Sequence, residues 1–266
     1  MRPADEFKTT VVRVALRAAS DHGFALAGGN ALAAHGIISR PTEDVDLFAD
    51  APGAVGAAAG LVAEAMAAAG LTVTPVAGTD DLGEVFYGFD QEMAEYEVSG
   101  GGQAVRVQLV RFDRSRPAVI MDVGPVLHPD DLLGSKVAAM ATRAEPRDYA
   151  DVAAALARYS RDQLVALARR ADPDLADEEL AEAMQALDRL DDEVFTRQFS
   201  AEQVRGIRAA LAGWPRSADR QAESLDQAES SDQAESLDQA ESFDQAESSD
   251  QAAIDQAESF DRDAGA

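Results

Sequence analysis

Two carboxylates lie two residues apart in an apolar run near the start of this 266-residue chain. Asp44 and Asp46 flank Val45, and because side chains alternate along a strand, both carboxylates point to the same face. Two ionised carboxylates this close repel each other, and a divalent cation removes the repulsion. Mg²⁺ prefers one or two carboxylates together with phosphate oxygens and water. The pattern therefore predicts a site for Mg²⁺, or for Mn²⁺, at Asp44 and Asp46.

A glycine pair upstream of the acidic pair indicates a phosphate-binding turn. Gly28 and Gly29 follow a short apolar run and precede a short predicted helix. A backbone without side chains can approach a phosphate closely, and the first N–H groups of a helix are unpaired. A phosphate-binding turn beside a metal site is what transfer of a nucleoside monophosphate from an NTP requires. The alternative is a solvent-exposed D-x-D beside an ordinary glycine turn.

The elements that must position these residues form a mixed α/β unit followed by helices. Helices are predicted over 5–21, 30–36 and 54–69. Strands are predicted over 24–27, 45–48, 71–76, 85–90, 93–98, 104–112 and 119–123, with a hairpin turn at 99–103. Further helices are predicted over 130–143, 147–159, 161–171, 175–190 and 200–212, two of them opened by capping boxes at Ser160 and Ser200. The predicted class is α+β, with a core over 1–127 and a helical domain over 128–215.

The tail, 216–266, repeats a QAESxD hexapeptide. Six residues on a helix advance by 600°, so the variable positions spiral around the axis and form no continuous apolar stripe. The repeat is therefore predicted to be disordered or a fraying helix without a catalytic part. A partner-binding or solubilising role is the alternative.

Charge and composition restrict the possible functions. The net charge is −26, and the first 220 residues alone carry 35 acidic and 22 basic residues. This balance argues against a broad nucleic-acid-binding face but permits a local basic cleft. The chain has no cysteine, which fits a reducing compartment. We expect a cytoplasmic protein, because it shows no signal peptide and no apolar run near the roughly 18–20 residues of a membrane helix.

Two segments resemble a known family. The segment GGNALAAHGIISRPTEDVDLF resembles the signature of the polymerase-β-like nucleotidyltransferases. The segment LLGSKVAAMATRAEPRDYADV is similar to the pattern of the AbiEii/AbiGii toxin branch, which includes the MenT toxins. The resemblance implies a polymerase-β-like core, a divalent metal and an NTP substrate.

The resemblance also implies roles for individual residues. Gly28 and Gly29 match the phosphate-binding turn, and Asn30 matches a residue that contacts a terminal phosphate. Asp44 and Asp46 match the metal ligands, and Lys136 matches an essential lysine that touches triphosphate or acceptor. Four further positions match nucleotide-binding residues: Arg40, Thr42, Arg147 and Asp151. Asp148 matches a catalytic aspartate, a candidate to orient or deprotonate the acceptor hydroxyl.

Helix geometry supports part of this assignment. Lys136 and Arg143 are two turns apart, and Asp148 and Asp151 are three residues apart, so each pair shares a helix face. The linker 144–146 can turn the second helix back against the first. The alternatives are a solvated Lys136, aspartates placed only by the helix dipole, and a plain i,i+4 pair between Arg147 and Asp151.

One position departs from the superfamily pattern. A third carboxylate is expected on a later strand, but the matching strand, VRVQLVR, carries Gln108 there. Either two carboxylates suffice, or Asp113 or Asp122 substitutes, or catalysis is weak. Arg106 and Gln108 should face the same side of the strand, towards the cleft.

The sequence leads to three functional hypotheses. The first is a toxin of a toxin–antitoxin pair that transfers an NMP to the 3′ end of tRNA and is restrained by an antitoxin. It requires a basic cleft beside the acidic pair, formed by Lys136, Arg143, Arg147 and arginines of 158–170. The second is transfer to an aminoglycoside-type small molecule or to a protein. The third is a degenerate protein that only binds a nucleotide or a partner.

Overall fold

A computed structural model describes residues 3–76 and 93–217 of the chain. The predicted strand at 85–90 and the acidic repeat from residue 218 onward lie outside the described residues. A compact unit ends at Arg216, and the proposed boundary inside it, at residue 127, stays a prediction.

The described chain alternates helices with strands in its first half and is helical in its second half. Its helices, apart from a 3₁₀ turn at Ser20–His22, are α1 (Pro3–Ala19), α2 (Gly28–Ala34), α3 (Ala54–Ala68), α4 (Pro129–Arg143), α5 (Pro146–Ala155), α6 (Arg161–Ala171), α7 (Asp177–Arg189), α8 (Asp192–Thr196) and α9 (Ala201–Ala210). Its strands are β1 (Ala25–Leu26), β2 (Val45–Ala49), β3 (Thr72–Pro75), β4 (Met93–Gly100), β5 (Gln103–Arg111), β6 (Val119–Met121) and β7 (Gly124–Val126).

The described strands form one mixed sheet in the order β3-β4-β5-β2-β1-β7-β6. Strand β2 runs parallel to β5 and antiparallel to β1, so it lies near the middle of the sheet. The mixed sheet with its flanking helices confirms the predicted α+β class.

Strand β2 separates core residues from site residues by simple alternation. Val45, Leu47 and Ala49 are buried, while the residues between them are only partly buried. The buried side chains of β2 belong to the same apolar core as those of α1 and α3, which pack against each other. Side chains alternate between the two faces of a strand. Because the alternate residues of β2 that include Val45 and Leu47 face the core, Asp46 must present its carboxylate on the opposite face.

The helical half is assembled around α4. Helices α5, α6 and α7 all pack against it. A Cβ on Gly134 would lie 2.6 Å from the backbone oxygen of Leu167, so only glycine permits this close crossing of α4 and α6. The predicted capping boxes are confirmed, since Ser160 and Gln163 exchange two hydrogen bonds, as do Ser200 and Gln203.

Two local predictions differ from the structure. The single strand expected at 119–123 is a tight hairpin, in which β6 pairs with β7 through a turn that ends at Gly124. Helix α8 has only five residues, too short for helical periodicity to be visible in the sequence. No helix within residues 3–76 and 93–217 combines the length and the apolar character that a bilayer crossing requires.

Candidate active site

The glycine turn and the acidic pair meet at the end of β1. The N–H of Ala27 donates a hydrogen bond to the carbonyl oxygen of Asp46 at 2.8 Å. Gly28 has a φ of +58°, and a Cβ there would lie 1.8 Å from Oδ2 of Asp46. A Cβ on Gly29 would lie 2.9 Å from Cγ2 of Thr42. The structure therefore brings the predicted phosphate-binding turn directly against the predicted metal site, and glycine is required at both positions.

The electrostatics of Asp46 fit a bound cation. Burial raises the pKa of Asp46, the negative charge of Asp44 raises it further, and the positive charges of Lys136, Arg147 and Arg143 oppose the rise. The net effect is a raised pKa, which means that the ionised carboxylate is unfavourable without additional positive charge.

The donor set around Asp46 also fits a divalent ion. Within the described chain, no cluster of three or more His, Cys, Asp or Glu side chains forms a metal site. Asp44 and Asp46 are thus a two-carboxylate set that leaves coordination positions for phosphate oxygens and water, as Mg²⁺ prefers.

Asn30 and Lys8 fix the loop that precedes Asp44. The Asn30 amide donates to the Asp44 carbonyl oxygen at 2.5 Å, and its Oδ1 accepts from the Thr42 hydroxyl at 2.5 Å. Lys8, on α1, donates to the Thr42 carbonyl oxygen and lies 3.2 Å from the Thr42 hydroxyl. Sequence analysis did not single out Lys8, because nothing local links it to a loop 34 residues away. The expected contact of Asn30 with a terminal phosphate stays a prediction.

A buried ionic network connects α4 with α5. Arg143 binds both oxygens of Asp148 at 2.7 and 2.8 Å, and Arg40 binds both oxygens of Asp151 at 2.7 Å. The Lys136 ammonium lies 3.1 Å from Asp151 and 3.6 Å from Asp148. Both aspartate side chains are fully buried. Ionised carboxylates in such a place require full pairing, and here each has a bidentate arginine and a share of one lysine.

The turn between α4 and α5 aligns this network. Ala144 adopts a φ of +52°, a left-handed conformation that costs an alanine roughly 1–2 kcal/mol. Pro146 then starts α5, so that Arg143 and Asp148 meet across the bend. The interpretation of Lys136 as a solvated lysine is wrong, since its side chain is only 12% exposed.

Arg147 turns towards the acidic pair. It lies 3.8 Å from Oδ2 of Asp44 and 2.8 Å from Oε2 of Glu145. Because the partners of Asp151 are Arg40 and Lys136, the alternative of a plain Arg147–Asp151 pair is also wrong.

A cleft of about 440 Å³ opens above the acidic pair. Gly29, Thr42, Asp44 and Asp46 contribute to its wall. Six basic side chains among the described residues also line it: Arg40, Arg106, Lys136, Arg143, Arg147 and Arg197. The expected basic surface therefore exists in a chain that is acidic as a whole.

The residues that line this basic cleft differ in part from those predicted. Lys136, Arg143 and Arg147 line it as expected, but no arginine of 158–170 is among its described lining residues. Arg158 instead donates to the carbonyl oxygens of His35 and Gly36. Arg197 and Phe199, which follow α8, complete the wall and were not anticipated. No sequence signal marks them, because they come from a loop more than 150 residues away from the acidic pair.

The position of the missing third carboxylate is occupied as expected by Gln108. In the parallel pair of β2 and β5, Gln108 lies directly beside Asp46, and Arg106 and Gln108 both line the cleft. Asp113 pairs with Arg111, and Asp122 lies in the β6–β7 turn, so neither is among the described residues of this cleft.

Because the Gly28 turn packs against Asp46 inside a basic cleft, the site is suited to hold a phosphate chain beside a metal ion, which is the chemistry of the nucleotidyltransferase class. The family model of the nucleotidyl transferase AbiEii toxin, of type IV toxin–antitoxin systems, matches residues 11–246, and the chain belongs to this family. The resemblance in the two sequence segments is thus confirmed. Family membership identifies the protein as a nucleotidyltransferase toxin that uses an NTP and a divalent metal ion and has an antitoxin partner.

Solved structures with little sequence identity are similar to this chain, and MenT4 shares its fold. MenT4, a nucleotidyltransferase toxin from Mycobacterium tuberculosis, is 17% identical with a TM-score of 0.52, over 80% of this chain and 85% of its own. JHP933 from Helicobacter pylori is 14% identical with a TM-score of 0.46, over 83% of this chain and 95% of its own. Comparison with curated protein sequences gave no match.

Proposed function

We propose that this toxin transfers a nucleoside monophosphate from an NTP to the 3′ end of tRNA, with Mg²⁺ held by Asp44 and Asp46. The observation that carries the proposal is the cleft in which the Gly28 turn, the acidic pair and six basic side chains converge. Six basic side chains line this one cavity, although the chain as a whole has a net charge of −26.

The reaction is a displacement at the α-phosphorus. The acceptor hydroxyl oxygen forms a bond to that phosphorus, the bond to the oxygen bridging to the β-phosphate breaks, and pyrophosphate leaves. The hydroxyl proton passes to water. The backbone at Gly28 and Gly29 receives the phosphates, and Lys136 and Arg147 stabilise the negative charge that shifts to pyrophosphate. The bound divalent ion supplies further charge neutralisation at the phosphates.

Asp148 and Asp151 act by positioning in this proposal. Both oxygens of Asp148 accept hydrogen bonds from Arg143, and the side chain is fully buried. Because both oxygens already bind Arg143 and the side chain does not reach solvent, the geometry favours orientation of Arg143 and Lys136 over the deprotonating role that the resemblance implies. Asp151 likewise orients Arg40 and Lys136.

The charge of the cleft favours a polyanionic acceptor. A tRNA end brings phosphates to the six basic side chains, whereas a polycationic aminoglycoside would meet six like charges and be attracted only by Glu43, Asp44 and Asp46. Because the surrounding chain is acidic, binding is confined to this cleft, which suits recognition of an end more than of a long duplex.

Labelled NTPs test the proposal directly. The purified protein is incubated with each α-labelled NTP, Mg²⁺ and total tRNA, and we expect one or more NTPs to label the tRNA. Periodate oxidation of the tRNA 3′ ribose beforehand should abolish labelling. Asp46→Asn serves as the inactive control. Labelling of an aminoglycoside or of a protein, with tRNA unlabelled, would replace the acceptor, and no labelling of any acceptor would refute the transferase.

A further inference from the structure

The sheet order places the two neighbours of Asp46 on opposite sides. On one side, β1 runs into the Gly28 turn, which packs against the Asp46 carboxylate. On the other side, β5 places Gln108 directly beside Asp46. Paired residues in a sheet point to the same face, so all three groups border the same cleft.

In-line chemistry assigns a different substrate to each side. The attacking and leaving oxygens of a phosphoryl transfer lie on opposite sides of the phosphorus. If pyrophosphate leaves towards the Gly28 turn, as in the proposed function on which this inference rests, the acceptor hydroxyl must approach from the β5 side. The groups on that side of the cleft are Gln108 and Arg106.

The Gln108 amide has a fixed orientation. Its Nε2 donates to Oε2 of Glu95 at 3.0 Å, and Glu95 is the residue opposite Gln108 in the β4–β5 pair. An ionised carboxylate only accepts hydrogen bonds, so the NH₂ end must face Glu95 and Oε1 must face away from it. A Glu95 side chain that is only 8% exposed therefore decides which polar atom Gln108 presents to the cleft.

Arg106 completes the group. Its Nε lies 2.9 Å from Oε1 of Glu95, while its side chain is 54% exposed and reaches the cleft. Oε1 of Glu95 is buried and makes no hydrogen bond within the described chain, so the contact with Arg106 is purely ionic. Such a contact leaves the N–H donors of the guanidinium available to an incoming anion.

We infer that Glu95, Gln108 and Arg106 form the acceptor side of the active site. Gln108 Oε1 accepts a hydrogen bond from the attacking hydroxyl, Glu95 is the positioning residue that sets the amide, and Arg106 binds the phosphate preceding the terminal nucleoside. The acceptor class is thus a nucleic acid with a free terminal hydroxyl. The amide takes no proton, so the superfamily's third carboxylate is replaced by a hydroxyl-orienting group.

The test separates acceptor kinetics from NTP binding. Steady-state transfer to tRNA is measured for Gln108→Leu, Glu95→Gln and Arg106→Gln, and NTP affinity is measured without tRNA. We expect Gln108→Leu to lower kcat/KM for tRNA roughly tenfold, the cost of one hydrogen bond, with NTP affinity unchanged. Glu95→Gln should have a smaller effect in the same direction, because a neutral amide lets Gln108 rotate.

The third variant and the control have distinct readouts. Arg106→Gln should raise KM for tRNA and reduce the salt dependence of binding by about one phosphate contact. Glu64→Gln is the control for the loss of one glutamate charge, because Glu64 is exposed on α3 and is not among the described residues that line the cleft. It should behave like the wild type.

Each outcome decides between the two proposals. Wild-type transfer kinetics in both Gln108→Leu and Glu95→Gln would overturn this inference alone. A loss of NTP affinity in those variants would also overturn it, since Gln108 would then belong to the NTP side. If the wild type labels no acceptor at all, the proposed function fails and the inference falls with it.

Discussion

Replacing Gly28 with alanine places a methyl group where the Asp46 carboxylate lies. The new Cβ would be 1.8 Å from Oδ2 and 2.7 Å from Cγ of Asp46, well inside the 3.0 Å limit that real Cβ contacts respect. The short Asp46 side chain has to move, and with it one of the two metal ligands. The same residue must also hold a φ of +58°, which alanine adopts only with strain.

The magnitude follows from these two terms. The left-handed backbone costs an alanine roughly 1–2 kcal/mol. Displacing a packed side chain costs typically about 1–3 kcal/mol more. We therefore expect Gly28→Ala to lower the free energy of unfolding by roughly 2–5 kcal/mol. Because a misplacement of about 1 Å at a reacting centre costs on the order of 100-fold in rate, transfer should fall at least that far.

Gly101→Ala is a matched control within the same protein. Gly101 has the same φ of +58°, but a Cβ there meets nothing within 4 Å. It should show the backbone strain alone and keep full transfer activity. Unfolding by urea and initial rates of tRNA labelling are measured for both variants. If Gly28→Ala destabilises no more than Gly101→Ala, or keeps comparable activity, the close contact with Asp46 is refuted.

Three further predictions follow from the charges of the site. The pKa of Asp46 is raised, so ionised Asp46 lowers folding stability as pH rises above its ordinary value of 3.8. With chelator present, Asp46→Asn should melt higher than the wild type at pH 7 and equally at pH 3, and equal melting at both would contradict the raised pKa. Mg²⁺ or Mn²⁺ should raise the melting temperature of the wild type but not of Asp46→Asn, since that variant lacks one ligand. Arg143→Gln should cost about 3–5 kcal/mol in urea unfolding, because it leaves Asp148 buried with Lys136 at 3.6 Å. Arg40→Gln should lower the free energy of unfolding by less, because Lys136 remains 3.1 Å from Asp151. If neither variant lowers it measurably, solvent screens the Arg143–Asp148 and Arg40–Asp151 pairs.

Local patterns predicted the parts of the site that lie on single elements. Strand alternation predicted a common face for the acidic pair, and Asp44 and Asp46 do line the same cleft. Helical spacing predicted that Lys136 and Arg143 share a face, and both contact Asp148. These predictions worked because side-chain direction within one strand or helix depends on backbone geometry alone.

Contacts between distant elements could not be predicted in the same way. Lys8 reaches Thr42 from α1, and Arg197 enters the cleft from the loop after α8. Glu95 faces Gln108 across the β4–β5 hairpin, and the turn predicted at 99–103 did not by itself indicate that this pair borders the cleft. These residues are ordinary charges in the sequence, and only the fold reveals which group each of them faces.

The contrast between an acidic chain and a basic cleft is itself functional. Surface charges of one sign repel a polyanion at distances up to the Debye length, about 8 Å at physiological ionic strength. A cleft with low-dielectric walls and six cations focuses the opposite potential into one place. In the proposed reaction a nucleic acid would be repelled along its length and attracted at the cleft, so the productive contact would be made by a narrow, protruding end. The two fully buried aspartates keep three of these cations in fixed positions and offset part of their positive charge.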